Sequence, residues 1–152
     1  MAKLITCPEV FEGPITGGPS IFLAGGISNC PDWQAQAISM LQPLPVTLIN
    51  PRRADYDVNA GKRLVEEQIK WEFKHLHDAT QILFWFPKET LCPITLYELG
   101  AHVGRARTLW IGVEPGYQRA WDVEIQTHCV RPRQVIFNSL QEMCATMVSS
   151  MT

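Results

Sequence analysis

Ile82-Leu83-Phe84-Trp85-Phe86, halted by Pro87 and followed after a loop by Thr95-Leu96-Tyr97-Glu98-Leu99-Gly100-Ala101, decides the fold of this chain. The first run is short, continuous and apolar, as expected of a strand buried on both faces of a parallel sheet. Proline cannot donate to a sheet ladder and ends it. The second run opens a helix, with Glu98 expected in its first turn. In an open α/β sheet, ligands sit outside the carboxyl ends of the strands, so this strand-loop-helix unit places Glu98 where chemistry is expected. The same residues allow a plainer reading. Thr95-x-x-Glu98 is the pattern of a capping box, in which the Thr hydroxyl caps the helix and the Glu returns to the Thr backbone N–H.

Working outward, Ser20-Ile21-Phe22-Leu23-Ala24 is a second buried strand, ended by Gly25-Gly26. A helix over 33–41, capped by Asp32 or Ser28, stops at Pro43 and Pro45. A strand at 46–49 follows. The segment 62–77 is the clearest helix, with Leu64, Ile69, Phe73 and Leu76 able to share one face. Downstream, a helix over 95–106, a strand over 108–113, a short helix near 117–127, a strand over 133–137 and a helix over 138–150 complete the alternation, the last capped by Asn138 or Ser139. Strands alternating with helices predict an α/β fold: a single-domain, doubly wound parallel sheet of five strands, in the flavodoxin-like order 2-1-3-4-5. Residues 1–19, with three prolines and three glycines, read as an irregular lead-in to a domain covering 1–152.

Composition narrows the partners. A net charge of −2 over 152 residues supplies no basic field for a nucleic acid polymer, although a small phosphorylated ligand needs only a local donor cluster. The five cysteines are odd in number, widely spaced and free of zinc-site spacing, which suits reduced thiols in the cytoplasm. No signal peptide and no membrane-spanning run is expected.

Several loops could carry chemistry. Gly25-Gly26 would let a ligand approach the backbone closely, or simply turn the chain. Asn50-Pro51-Arg52-Arg53 offers guanidinium forks suited to phosphate or carboxylate, with Asp55 and Asp57 nearby as ligands or as neutralising partners. Trp33 and Tyr56 could stack on a ring or pack in the core. Glu66 and Glu67 read as solvated helix surface, whereas Glu72 lies between Trp71 and Phe73 near the expected active edge. His75 and His77 lie near a helix C-terminus, where a structural role is favoured, and their two-residue spacing puts them on different faces, against a metal pair. Cys92 precedes Glu98 in the loop without an evident base. Gly-x-Gly-x-x-Gly, Walker and Gly-x-Ser-x-Gly motifs are missing, so no cofactor or metal is implied.

Taken in order, Ile21-Phe22-Leu23-Ala24-Gly25-Gly26, Asn50-Pro51-Arg52-Arg53, Trp71-Glu72, Ile82 to Phe86 and Tyr97-Glu98-Leu99-Gly100 resemble the nucleoside 2-deoxyribosyltransferase-like superfamily over about residues 20–137, and its small branch with a Phe-Trp-Phe-Pro strand end most of all. The resemblance implies an enzyme that breaks the N-glycosidic bond of a nucleoside or nucleotide by retaining displacement, ending in deoxyribosyl transfer or hydrolysis. Glu98 would be the nucleophile and Glu72 the group assisting the departing base. Gly25, Gly26, Asn50 and Arg52 would hold sugar or phosphate, Asp57 and Cys92 would also bind substrate, and Trp33 would cover the base. It also implies a homo-oligomer, dimer or larger, with sites near subunit boundaries. Where relatives carry an Asp or a Ser six residues before the catalytic Glu, this chain has Cys92. That departure keeps open a non-catalytic module that binds or sequesters a nucleotide, and five tryptophans with several apolar residues keep open a partner-binding protein in which Glu98 only caps a helix.

Overall fold

A computed structural model describes residues 1–12, 18–53 and 61–152. Six strands and five helices alternate: β1 (Lys3–Thr6), β2 (Ser20–Gly25), α1 (Trp33–Leu41), β3 (Thr47–Asn50), α2 (Lys62–Asp78), β4 (Gln81–Phe86), α3 (Pro93–His102), β5 (Thr108–Val113), α4 (Ala120–Val130), β6 (Ile136–Phe137) and α5 (Leu140–Met151). All pairings are parallel, in the order β1-β3-β2-β4-β5-β6. Omitting β1, this is the doubly wound 2-1-3-4-5 order expected from the sequence.

β1 is the exception. It lies in the segment expected to be irregular and pairs with β3 from Lys3 opposite Thr47 to Thr6 opposite Asn50. The chain beyond it is pinned to α2. The Trp71 indole N–H donates to the Glu9 carbonyl at 2.7 Å, Lys74 Nζ to the Phe11 carbonyl at 2.9 Å, and the Phe11 N–H to His75 Nε2 at 3.0 Å. His75 stacks on Trp71 and its Nδ1 meets the Trp71 carbonyl at 2.7 Å. Its ring is therefore a neutral structural donor–acceptor, and burial lowers its pKa further.

Strand alternation sends side chains to two cores. Phe22, Ala24, Ile82, Phe84, Phe86 and Ile111 face α2, α3 and α4, while Ile21, Leu23, Leu48, Leu83 and Trp85 face α1 and α5. Asp32 caps α1 through the Ala35 N–H, and Ser139 caps α5 through the Glu142 N–H. α3 differs from its expected start. Pro93 takes the first helical position, where a missing N–H costs nothing, and Cys92 precedes it at φ 52°. Thr95 is then buried inside the helix and Glu98 lies in its second turn, so the expected capping box does not form. α2 departs in its buried face. Gln68, Trp71, His75 and Leu76 are buried, whereas Ile69 and Phe73, expected in the core, are exposed.

Among the described residues, no helix is long and apolar enough to cross a membrane.

Candidate active site

α2 and α3 lie on the same side of the sheet and part to leave a groove of about 760 Å³ that runs from the carboxyl ends of the strands down to the helix C-termini. Gly25, Gly26 and Cys92 form its head, Glu72 and Glu98 line its middle, and His77, His102 and Arg105 form its foot. The two acids come from different helices into one cleft. Val65, Ile69 and Phe73 add an apolar wall from α2, and Ile94 and Tyr97 one from α3.

Both acids hold their protons unusually well. Burial lifts the Glu72 carboxyl to about 7, with a hydrogen bond from Gln68 pulling the other way. Burial, reinforced by repulsion from Glu72, lifts Glu98 to about 8. The expectation that a helix N-terminus would favour ionised Glu98 fails here. The side chain is one turn too deep for the dipole to act strongly, and desolvation dominates. Gln68 itself is fixed, its Nε2 donating to the Pro51 carbonyl at 3.0 Å and its Oε1 accepting from Cys7 Sγ at 3.0 Å.

The other expected ligand residues divide. Gly26 lines the groove, and a Cβ there would come within 2.8 Å of the Thr90 methyl and within 3.2 Å of the Cys92 and Cys30 sulfurs, so a side chain would crowd the head. Gly25 is dictated from beneath, because its Cβ would collide with the Trp33 ring and the Trp85 carbonyl. Trp33 is corrected outright. It is buried below the loop, donates its indole N–H to the Gly26 carbonyl at 2.9 Å, and is not among the residues that line the groove. Asn50 is likewise buried and turned to its own loop, accepting the Arg52 N–H at 3.0 Å.

Arg52 is also corrected. Its guanidinium donates to the carbonyls of Ile27 and Cys30 and pairs with Asp32 at 3.2 Å, stitching the loop after β2 to the loop after β3. The next residue, Arg53, lines the groove instead. Asp57, with Asp55 and Tyr56, lies outside the described residues. Cys92 does reach the head, but burial pushes its thiol up to about 12, so it stays protonated and is a contact rather than a nucleophile. Residues of the groove that sequence reasoning passed over are Gln68, His102 and Arg105, and His77, expected to be structural, lines it as well. His102 lies four residues after Glu98, one helical turn along the same face, and that spacing was the available signal.

Comparison with known proteins agrees with this geometry. The model of a family described as nucleoside 2-deoxyribosyltransferase like matches residues 18–117, from β2 to just beyond β5. The chain belongs to that family, which points to glycosyl transfer on a nucleoside. Comparison with curated proteins gives no match.

Proposed function

We propose that this protein cleaves the N-glycosidic bond of a nucleoside or nucleotide by retaining displacement, with Glu98 as nucleophile and Glu72 as proton donor. The observation that carries this reading is the pair of acids from α2 and α3 in one groove, each holding its proton to near-neutral pH. Such a pair retains about one proton between its members, and a retaining glycosidase needs one carboxylate and one carboxylic acid. In the empty groove the proton rests more on Glu98. Positive charge developing at the anomeric carbon favours ionised Glu98 and moves the proton towards Glu72. Glu98 Oε then bonds to C1′, the C–N bond breaks, and the base leaves with that electron pair and the proton from Glu72. In the second half, water or another base attacks C1′, the ester bond to Glu98 breaks, and Glu72 accepts any proton released.

The test is base release or exchange from a panel of ribo- and deoxyribonucleosides and their 5′-monophosphates, followed by chromatography. Glu98→Ala should lower turnover by about 10³-fold or more while its melting curve stays cooperative. Equal turnover in the variant rejects the nucleophile. The protonated state of Glu98 in the empty groove favours one other reading, a module that holds a nucleotide without turning it over. Tight binding in calorimetry with no product on long incubation would select it.

The open walls of the groove support a homodimer. Ile69, Phe73, Ile94 and Tyr97 are all well exposed, and Tyr97 keeps 79% of its surface. Contiguous apolar surface of this kind favours a protein partner, and a second copy laid over α2 and α3 would close the groove against water. Cysteine usage supports a cytoplasmic setting.

A further inference from the structure

We propose that the foot of the groove, where both ring nitrogens of His102 meet no partner beside His77 and Arg105, is a binding site for a phosphate group. This deepens the glycosidic reading and rests on it for the choice of a nucleotide as ligand.

His102 is 99% buried, its relative exposure being 1%, and neither Nδ1 nor Nε2 has a hydrogen-bond partner among the described residues. Buried polar atoms are ordinarily satisfied, and an orphaned pair in a cavity wall marks a place where something else completes the bonds. The surroundings specify its charge. The groups whose charge bears on His102 are His77, Arg107 and Arg105, all basic. Burial, reinforced by these groups, lowers the imidazole to about 4, so the ring is neutral. Asp78 acts on Arg107, but it is already paired with Lys74 at 2.8 Å.

The foot lies at two helix C-termini, where bare carbonyls would repel an anion. Several of those carbonyls are covered. The Arg107 guanidinium donates to the carbonyls of Leu76 and His77, the Arg105 N–H to that of His102 at 3.0 Å, and the Val103 N–H to that of Leu99 at 2.8 Å. Arg105 lines the groove, and Arg131 donates to its carbonyl and so holds the turn that carries it. His77 Nδ1 meets the Phe73 carbonyl at 2.7 Å, so that nitrogen donates there and Nε2 is an acceptor, suited to a phosphate hydroxyl. The rings of His77 and His102 meet edge to face at 4.7 Å.

The spacing suits a nucleotide. Four residues along a helix rise about 6 Å, and the anomeric carbon of a nucleotide is separated from its 5′-phosphorus by a comparable span. With C1′ against Glu98, the phosphate can reach the foot. An anion there would allow His102 to take up a proton and donate from one ring nitrogen, turning an orphaned atom into a charge-assisted hydrogen bond.

The test uses full-length Glu98→Gln protein, which blocks turnover, and imidazole proton resonances at pH 7, with His102 assigned by comparison with His102→Gln. A deoxyribonucleoside, its 5′-monophosphate and inorganic phosphate are titrated in turn. The monophosphate is expected to move the His102 resonance and to bind at least about tenfold more tightly than the nucleoside. Arg105→Ala, on an exposed side chain that does not threaten the fold, should reduce that preference to near unity. Inorganic phosphate that moves His102 and competes with the monophosphate identifies the group read at the foot. If it moves His102 although no substrate loses its base, the phosphate site stands and the glycosidic reading falls. Equal affinity for nucleoside and monophosphate, an unmoved His102 resonance, or a preference surviving both variants overturns the site, and wild-type base release would then remain as separate support for Glu98.

Discussion

The two faces of the sheet solve packing differently. On one, α1 and α5 rest on each other and on Ile21, Leu23, Leu83 and Trp85, with Met143, Cys144 and Met147 buried between. On the other, α2 and α3 stand apart over a groove, and apolar side chains of α2 turn into it instead of into the core. The first face shows what these residues do when only burial matters. The second gives up close packing, and what it gains is an open groove in which two acids are held at an unusual protonation state. Close packing and the groove are thus divided between opposite sides of one sheet.

Three substitutions sharpen that contrast, in decreasing order of effect. Met143→Ala, at a fully buried position whose methyl lies close to Gly112, should cost about 2–5 kcal/mol in denaturant unfolding and leave ligand binding at the groove intact. A cost as small as that of a surface change would mean the closed face is not the stabilising one. Glu98→Gln should act in the opposite direction and depend on pH. A carboxyl raised on folding contributes stability that is fully present below the unfolded value near 4.5 and is lost as pH rises through the folded value of about 8. The variant should therefore gain on the order of 1–3 kcal/mol over wild type at pH 9 and little at pH 4, read from melts across that range. A pH-independent difference would place Glu98 in an ordinary solvated setting. Phe73→Ser, on the open wall, should change monomer stability by no more than about 0.5 kcal/mol, yet shift light scattering towards monomer at micromolar concentration. An unchanged oligomer mass would remove the wall from the interface.

The sequence was most legible where burial alone sets the pattern. The apolar runs at 20–24, 82–86 and 108–113 became β2, β4 and β5 with bounds within a residue, and the strand order followed from their alternation with helices. Reading failed where an element answers to a partner distant in sequence. Lys3-Leu4-Ile5-Thr6 is only four residues long in a segment rich in proline and glycine, and it is ordered by β3 at the sheet edge. The expected face of α2 failed because periodicity reports apolar surface and not what covers it. Ile69 and Phe73 line a groove, while Gln68 and His75 take core positions by satisfying their polar atoms. In the site, Glu72 and Glu98 came together as expected. Arg52 and Trp33 did not, since each had a local backbone partner invisible at the level of residue type: carbonyls of the loop after β2 in one case, the Gly26 carbonyl in the other. The capping box misled because Pro93 started the helix two residues early.

The adjacent glycines after β2 have unequal evolutionary latitude. Gly25 is held by the Trp33 ring and the Trp85 backbone beneath it, so a side chain there disturbs the scaffold whatever the ligand. Gly26 is hemmed in by Thr90, Cys92 and Cys30, three small side chains that can themselves be exchanged, the first two at the head of the groove. A lineage seeking a new substrate could trade Gly26 together with those neighbours while leaving Gly25 alone. Within two residues the chain passes from a position that inheritance must preserve to one that selection can use.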